Sequence, residues 1–169
     1  DFGATNTQAG VSVGVSADYY YSGRIVNNLL HANTNQGILI THGPSAPQIV
    51  NNTIYQPVGD AVRIQNSQNV RVQNNLLWVL AGYDIYVAAD SRSGFTSDHN
   101  LFHQSSDPNA HVGFWDDQTW EALADWQAAM AADPGIASGQ EAHSTEGNPD
   151  FVDMDGADNV LGYTTDGGG

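Results

Sequence analysis

Apolar residues recur along this chain on two length scales. On the short scale they alternate with polar ones. In GILI (37–40), AVRI (61–64) and DIYV (84–87), the pairs Ile38/Ile40, Val62/Ile64 and Ile85/Val87 flank Leu39, Arg63 and Tyr86. Alternation over so few residues predicts short strands, each turning two side chains inward and one outward. On the long scale one phrase returns four times: IVNNLL at 25–30, IVNNTI at 49–54, VQNNLL at 72–77 and SDHNLF at 97–102. Its second asparagine stands at Asn28, Asn52, Asn75 and Asn100, in steps of 24, 23 and 25 residues. The phrase adds further inward positions: Ile25, Ile49 and Val72 before the anchor, and Leu30, Ile54, Leu77 and Phe102 after it. Clusters such as THGPSAP and ADSRSG separate the runs as turns. A period of this size is the mark of a solenoid.

Each repeat has an apolar face that it cannot bury alone, and stacking the repeats buries it. Coils then rise by about one strand spacing, roughly 4.8 Å, and pair in parallel with their copies. The recurrent Asn-Asn fits the same geometry. Asparagine tolerates the left-handed backbone of a sharp corner. Its amide can also bond to the amide one coil away, so Asn28, Asn52, Asn75 and Asn100 are expected to form a structural ladder. The expected fold is all-β: about four to five coils over 1–115, with an irregular first coil or the stump of a longer stack over 1–23. One segment departs from the pattern. DDQTWEALADWQAAMAA (116–132) reads as a covering helix, capped by Asp116 or Asp117 and stopped by Pro134-Gly135. Trp120, Leu123, Trp126 or Gln127, and Met130 trace its apolar stripe. Residues 133–169 read as an irregular closing tail leading on to a further domain.

The I-x-N-N-x-[IL] phrase and the G-[IV]-x-[IV] strand resemble the right-handed parallel β-helix repeats of the pectin-lyase-like superfamily, over roughly residues 10–115. The tail DWQAAMAADPGIASGQEAHSTEGNPDFVDMDG resembles the closing segment of many secreted bacterial β-helix proteins, with Asn148-Pro149 in place of their Asp-Pro. The resemblance implies an extracellular or cell-surface location and an association with polysaccharide, acidic polysaccharide included. It equally accommodates a non-catalytic structural or adhesive solenoid, because this architecture hosts lyases, hydrolases, epimerases, adhesins and stalks.

Charge narrows the partners. Nineteen acidic residues stand against four arginines and no lysine, a formal net charge of −15. Such a chain repels nucleic acid and anionic membrane surfaces. No apolar run approaches the roughly 18 residues of a membrane span. Polysaccharide, or neighbouring domains and subunits at the open coil ends, are the expected partners. The expected cofactor is none, or calcium, since an acidic surface without lysine suits calcium-rich or salty surroundings but also serves plain solubility.

Two outward rows carry the candidate chemistry. Three residues past the anchors stand His31, Tyr55, Trp78 and His103, one ring per coil. Rings on an outer face suit stacking against sugars; they also stabilise one another when simply packed. Eleven past the anchors stand Leu39, Arg63, Tyr86 and His111, with Asp84 expected beside Tyr86 on the same face. Arg63, Asp84, Tyr86 and His111 together offer a cation for a sugar carboxylate, a base and a proton donor.

The superfamily's catalytic phrases are incomplete here. The outer face offers one arginine and no lysine for a pectate-lyase-like site. Ala61 stands in the second acidic place of a polygalacturonase-like GDD, and Asn109 follows Asp107-Pro108 where an epimerase-like phrase has His. His99 and His103 are four apart, a zinc spacing on a helix but not on a turn and strand. His143, in the tail's His-Ser, reads as structural. Asp153, Asp155 and Asp158 in DMDGAD resemble the start of a calcium loop, or a plain turn.

Overall fold

The computed structural model describes residues 9–14, 23–43 and 46–151. The chain winds into a solenoid of parallel coils, each contributing one strand to each of three sheets. The long sheet runs β1 (Ala9–Gly14), β4 (Gln36–Gly43), β7 (Asp60–Ser67), β10 (Gly82–Val87) and β13 (Ala110–Trp115). The second stacks β2 (Arg24–Val26), β5 (Gln48–Val50), β8 (Arg71–Gln73) and β11 (Thr96–Asp98). The third stacks β3 (Leu29–His31), β6 (Thr53–Gln56), β9 (Leu76–Val79), β12 (Leu101–Gln104) and the two-residue β15 (Thr145–Glu146). Four full coils result, as the repeat predicts. The segment before them supplies β1, which pairs in parallel with β4.

Like stacks on like inside. Ile38 pairs with Val62 and Val62 with Ile85; Ile40 pairs with Ile64 and Ile64 with Val87. All six are at most 1% exposed, and Ile25, Ile49, Val72, Leu30, Ile54, Leu77 and Phe102 join them in the core. Burying branched side chains against their own copies builds one continuous apolar column. Each fully buried one contributes about 1.5–3 kcal/mol.

The Asn-Asn corner divides its labour. The first residue carries the left-handed backbone: Asn27, Asn51 and Asn74 have φ of 59°, 56° and 54°. The second forms the ladder. The backbone N–H and Nδ2 of Asn28 both donate to Oδ1 of Asn52, each at 3.0 Å. Asn52 repeats this to Asn75 at 2.9 and 3.0 Å, and Asn75 to Asn100 at 3.0 and 3.1 Å. Nδ2 of Asn52 and of Asn75 also donates backwards, to the carbonyls of Ile25 and Ile49. Each buried amide therefore ties three coils together, and the corner leaves its polar groups satisfied away from water.

The closing segment corrects the expected helix. Asp116 and Asp117 do not cap it. They form a tight hairpin turn, with φ of 54° and 58°, between β13 and the antiparallel β14 (Gln118–Trp120). Two successive left-handed residues suit such a hairpin, and aspartate tolerates that conformation better than most residues. The helix α1 is shorter, Leu123–Ala132. Its stripe is Leu123, Trp126 and Met130, all buried; Trp120 packs on the same core from β14. Gln127 instead reaches the tail, donating to the Glu141 carbonyl at 2.7 Å.

Candidate functional site

The third sheet sets His31, Tyr55, Trp78 and His103 in one row, each directly above the last. The rings do not form a flat platform. Tyr55 and Trp78 meet edge to face at 5.1 Å, as do Trp78 and His103 at 4.8 Å. Phe151 stacks on Trp78 at 5.9 Å and 19°, and the Trp78 indole N–H is buried without a partner. His31 is only 6% exposed, and burial holds its imidazole below the usual histidine range. His31 is thus withdrawn from the surface, while Tyr55, Trp78 and His103 stay partly exposed and present edges as well as faces.

The long sheet presents a different outer surface. Leu39, Arg63 and Tyr86 stack in register as expected, but the fourth member is Phe114. His111 pairs instead with Tyr83, one row aside. The cause is the longer turn SSDPN between β12 and β13, which delays the fourth coil's strand by three residues relative to the repeat. The Arg63 guanidinium lies 3.7 Å from the Tyr86 ring centre, and Tyr86 stacks on Phe114 at 4.4 Å with 9° between planes. Tyr83 packs against Tyr86, Phe114 and His111. A polar rim surrounds these rings. Arg63 pairs with Asp60 at 2.8 Å and donates to Gln65 at 3.2 Å. The Tyr83 hydroxyl meets Thr119 at 2.9 Å, and His111 meets Glu121 at 2.9 Å. Arg63, Tyr83, Tyr86, His111 and Phe114 are all partly exposed. Burial raises Asp60 above the usual carboxylate range despite its ion pair with Arg63.

Asp84 is not part of this surface. It is fully buried, pointing into the solenoid in the column that contains Ala61 and Val112. Strict alternation would put it outside with Tyr86. Alternation restarts where the strand leaves its corner, and two successive residues point inward there: Ala61 and Val62, then Asp84 and Ile85. The Gln104 amide donates to one carboxylate oxygen, while Oδ1 has no partner. Burial drives its carboxyl well above the usual range, with the charge of Glu146 adding to the effect. A carboxylate sealed in the core cannot serve as base on the outer sheet.

The metal candidates separate likewise. Asp153, Asp155 and Asp158 lie outside the described residues. His103 sits in the ring row while His99 occupies the left-handed corner, so the two do not converge. His99 meets His143 of the tail instead, their rings stacked at 4.8 Å. Sequence spacing could not show this, because 44 residues separate the pair.

The model of the right-handed β-helix region matches residues 4–116. No curated protein and no solved structure shows a significant match. The match covers well over half the chain and ends where the closing hairpin begins. Together with the parallel three-sheet coils, it shows that the chain belongs to the right-handed β-helix family.

Proposed function

We propose that this chain is a module of an extracellular protein that binds polysaccharide, and that the outer face of the long sheet is its contact surface. One observation carries the reading: Arg63, Tyr86 and Phe114 stack across successive coils beside Tyr83 and His111, partly exposed and ringed by hydrogen-bonding groups. Aromatic edges and faces bordered by donors and acceptors suit sugar rings, which have apolar faces and polar rims. Arg63 gives a uronate carboxylate one cation to compete for with Asp60. The reading is of binding rather than cleavage, since Asp84 is sealed away from this face.

A second reading has its own support. The His31–Tyr55–Trp78–His103 row packs on itself and beneath Phe151, as the stabilising spine of a structural or adhesive solenoid would. Affinity electrophoresis against neutral and uronate-containing polysaccharides separates the two readings. Each ring contact in a sugar site contributes on the order of 1 kcal/mol, so Tyr86→Ala should weaken binding about fivefold while Trp78→Ala leaves it unchanged. Retardation by no polysaccharide would give the lead to the structural solenoid. Loss on Trp78→Ala alone would move the contact surface to the third sheet.

A further inference from the structure

We infer that Asp98, His99 and His143 form a binding site for a divalent transition metal of the zinc class, which clamps the closing tail onto the fourth coil. This inference is independent of the polysaccharide reading.

Three observations converge on it. The first is departure from the repeat. The left-handed corner holds asparagine in three coils, at Asn27, Asn51 and Asn74, and histidine only in the fourth, at His99 with φ of 59°. Asparagine and histidine both tolerate that backbone, so the corner geometry does not by itself select an imidazole over the asparagine of the other three coils. Likewise Asp98 stands in register above Gln73, Val50 and Val26, so among the described coils the one carboxylate of its row lies beside the one histidine of the next.

The second is a fixed carboxylate. Oδ1 of Asp98 accepts two backbone N–H groups, from His99 at 2.9 Å and from His143 at 2.8 Å. These hold the group still and leave Oδ2 facing both imidazoles. Such support of a ligand by surrounding hydrogen bonds is what a preorganised metal site needs.

The third is convergence of the donor atoms. Oδ2 lies 3.1 Å from Nδ1 of His99 and 2.8 Å from Nδ1 of His143, and the three donors all fall within 4.8 Å of one another. Tetrahedral zinc with bonds of 2.0–2.1 Å requires ligand atoms roughly 3.3 Å apart. Widening the two Oδ2–Nδ1 separations by a few tenths of an ångström, and turning the imidazoles out of their stack so that both Nδ1 atoms face one point, meets that spacing. Both are free to open, with side chains 51% and 68% exposed.

Two neutral imidazoles and one carboxylate form a nitrogen-rich set. It favours zinc, cobalt, nickel or copper over calcium and magnesium, which prefer oxygen. On binding, each Nδ1 presents its lone pair and carries its proton on Nε2. Three protein ligands leave a fourth position for water or an incoming group, and the imidazoles border an open depression lined by Asn74, Asn100 and Thr145. Because His143 lies in the tail and the other two ligands in the fourth coil, the ion would cross-link the two and stabilise the fold by binding it.

Isothermal titration of the metal-free chain with zinc chloride, followed by cobalt absorbance, tests the site. The expected result is one zinc per chain, a rise in melting temperature with zinc but not with calcium, and cobalt bands of a four-coordinate nitrogen–oxygen site. His99→Asn restores the residue of the other corners and should fold normally, yet weaken zinc at least about tenfold; His143→Ala should do the same. Absence of saturable binding at millimolar zinc, an equal response to calcium, or unchanged affinity in His99→Asn would overturn the assignment.

Discussion

The coils and the closing segment solve the same burial problem by opposite means. Inside the coils each apolar residue packs on its own copy: Val62 has Ile38 below it and Ile85 above. At the closing end the copy is missing. Gly113 takes the position above Ile85, and the Trp126 indole of α1 fills the space. The polar corner behaves in parallel. Asn28, Asn52 and Asn75 each hand their N–H groups to the next asparagine, whereas Asn100 gives its own to Ser144 Oγ at 2.8 Å and reaches Glu141 with Nδ2 at 3.2 Å. Glu141 is fully buried, and burial raises its carboxyl above the usual range against hydrogen bonds from Ser144, Ser97 and Asn100. Repetition makes the coil interior tolerant of which branched residue stands where. The cap is specific, because unlike groups must fit each other once.

This contrast predicts how each region breaks. The largest effect is expected from Val62→Asp. A charge with no partner in a dry column costs several kcal/mol, and the coils above and below share the damage. Chemical denaturation should find no folded baseline; a variant that melts like the parent would contradict the inward column.

Gly113→Val should cost less, about 3 kcal/mol, because it overpacks one seam. A Cβ at 113 would stand 2.5–2.6 Å from the Trp126 ring, so the helix must shift. Hydrogen exchange should quicken in α1 while amides of β7 stay protected. Uniform loss of protection would show that cap and coils fold as one unit.

Asp84→Asn sharpens the comparison from within the coils, as the substitution there expected to stabilise. Its folded carboxyl is raised above the unfolded value by burial. The stability it allows is therefore full below the unfolded pKa of about 3.9 and is lost as pH rises towards the folded value. The asparagine variant should gain about 2 kcal/mol at neutral pH and lose part of the parent's decline between about pH 4 and 7. Melting curves across that range decide it: a lower midpoint at pH 7 with the parent's slope would mean that the carboxylate stabilises the fold as a charge.

The sequence by itself determined the solenoid, its period, its core and its asparagine ladder. Each of these rests on a local pattern copied three or four times, and copies reinforce one another once stacked. It also set His31, Tyr55, Trp78 and His103 in one register, because β3, β6, β9 and β12 keep step after the anchor, but not the burial of His31. Only the tertiary structure decided what happens where copying fails. The longer turn before β13 moved Phe114 into the place foreseen for His111. The corner ahead of β10 turned Asp84 inward against simple alternation. The hairpin at Asp116 and Asp117 took the start of the expected helix, since antiparallel pairing to β13 satisfies more backbone groups than a first helical turn would. Nor could spacing bring Asp98 and His99 to His143: that meeting depends on where the tail folds back, and a chain that does not repeat there leaves no pattern to read.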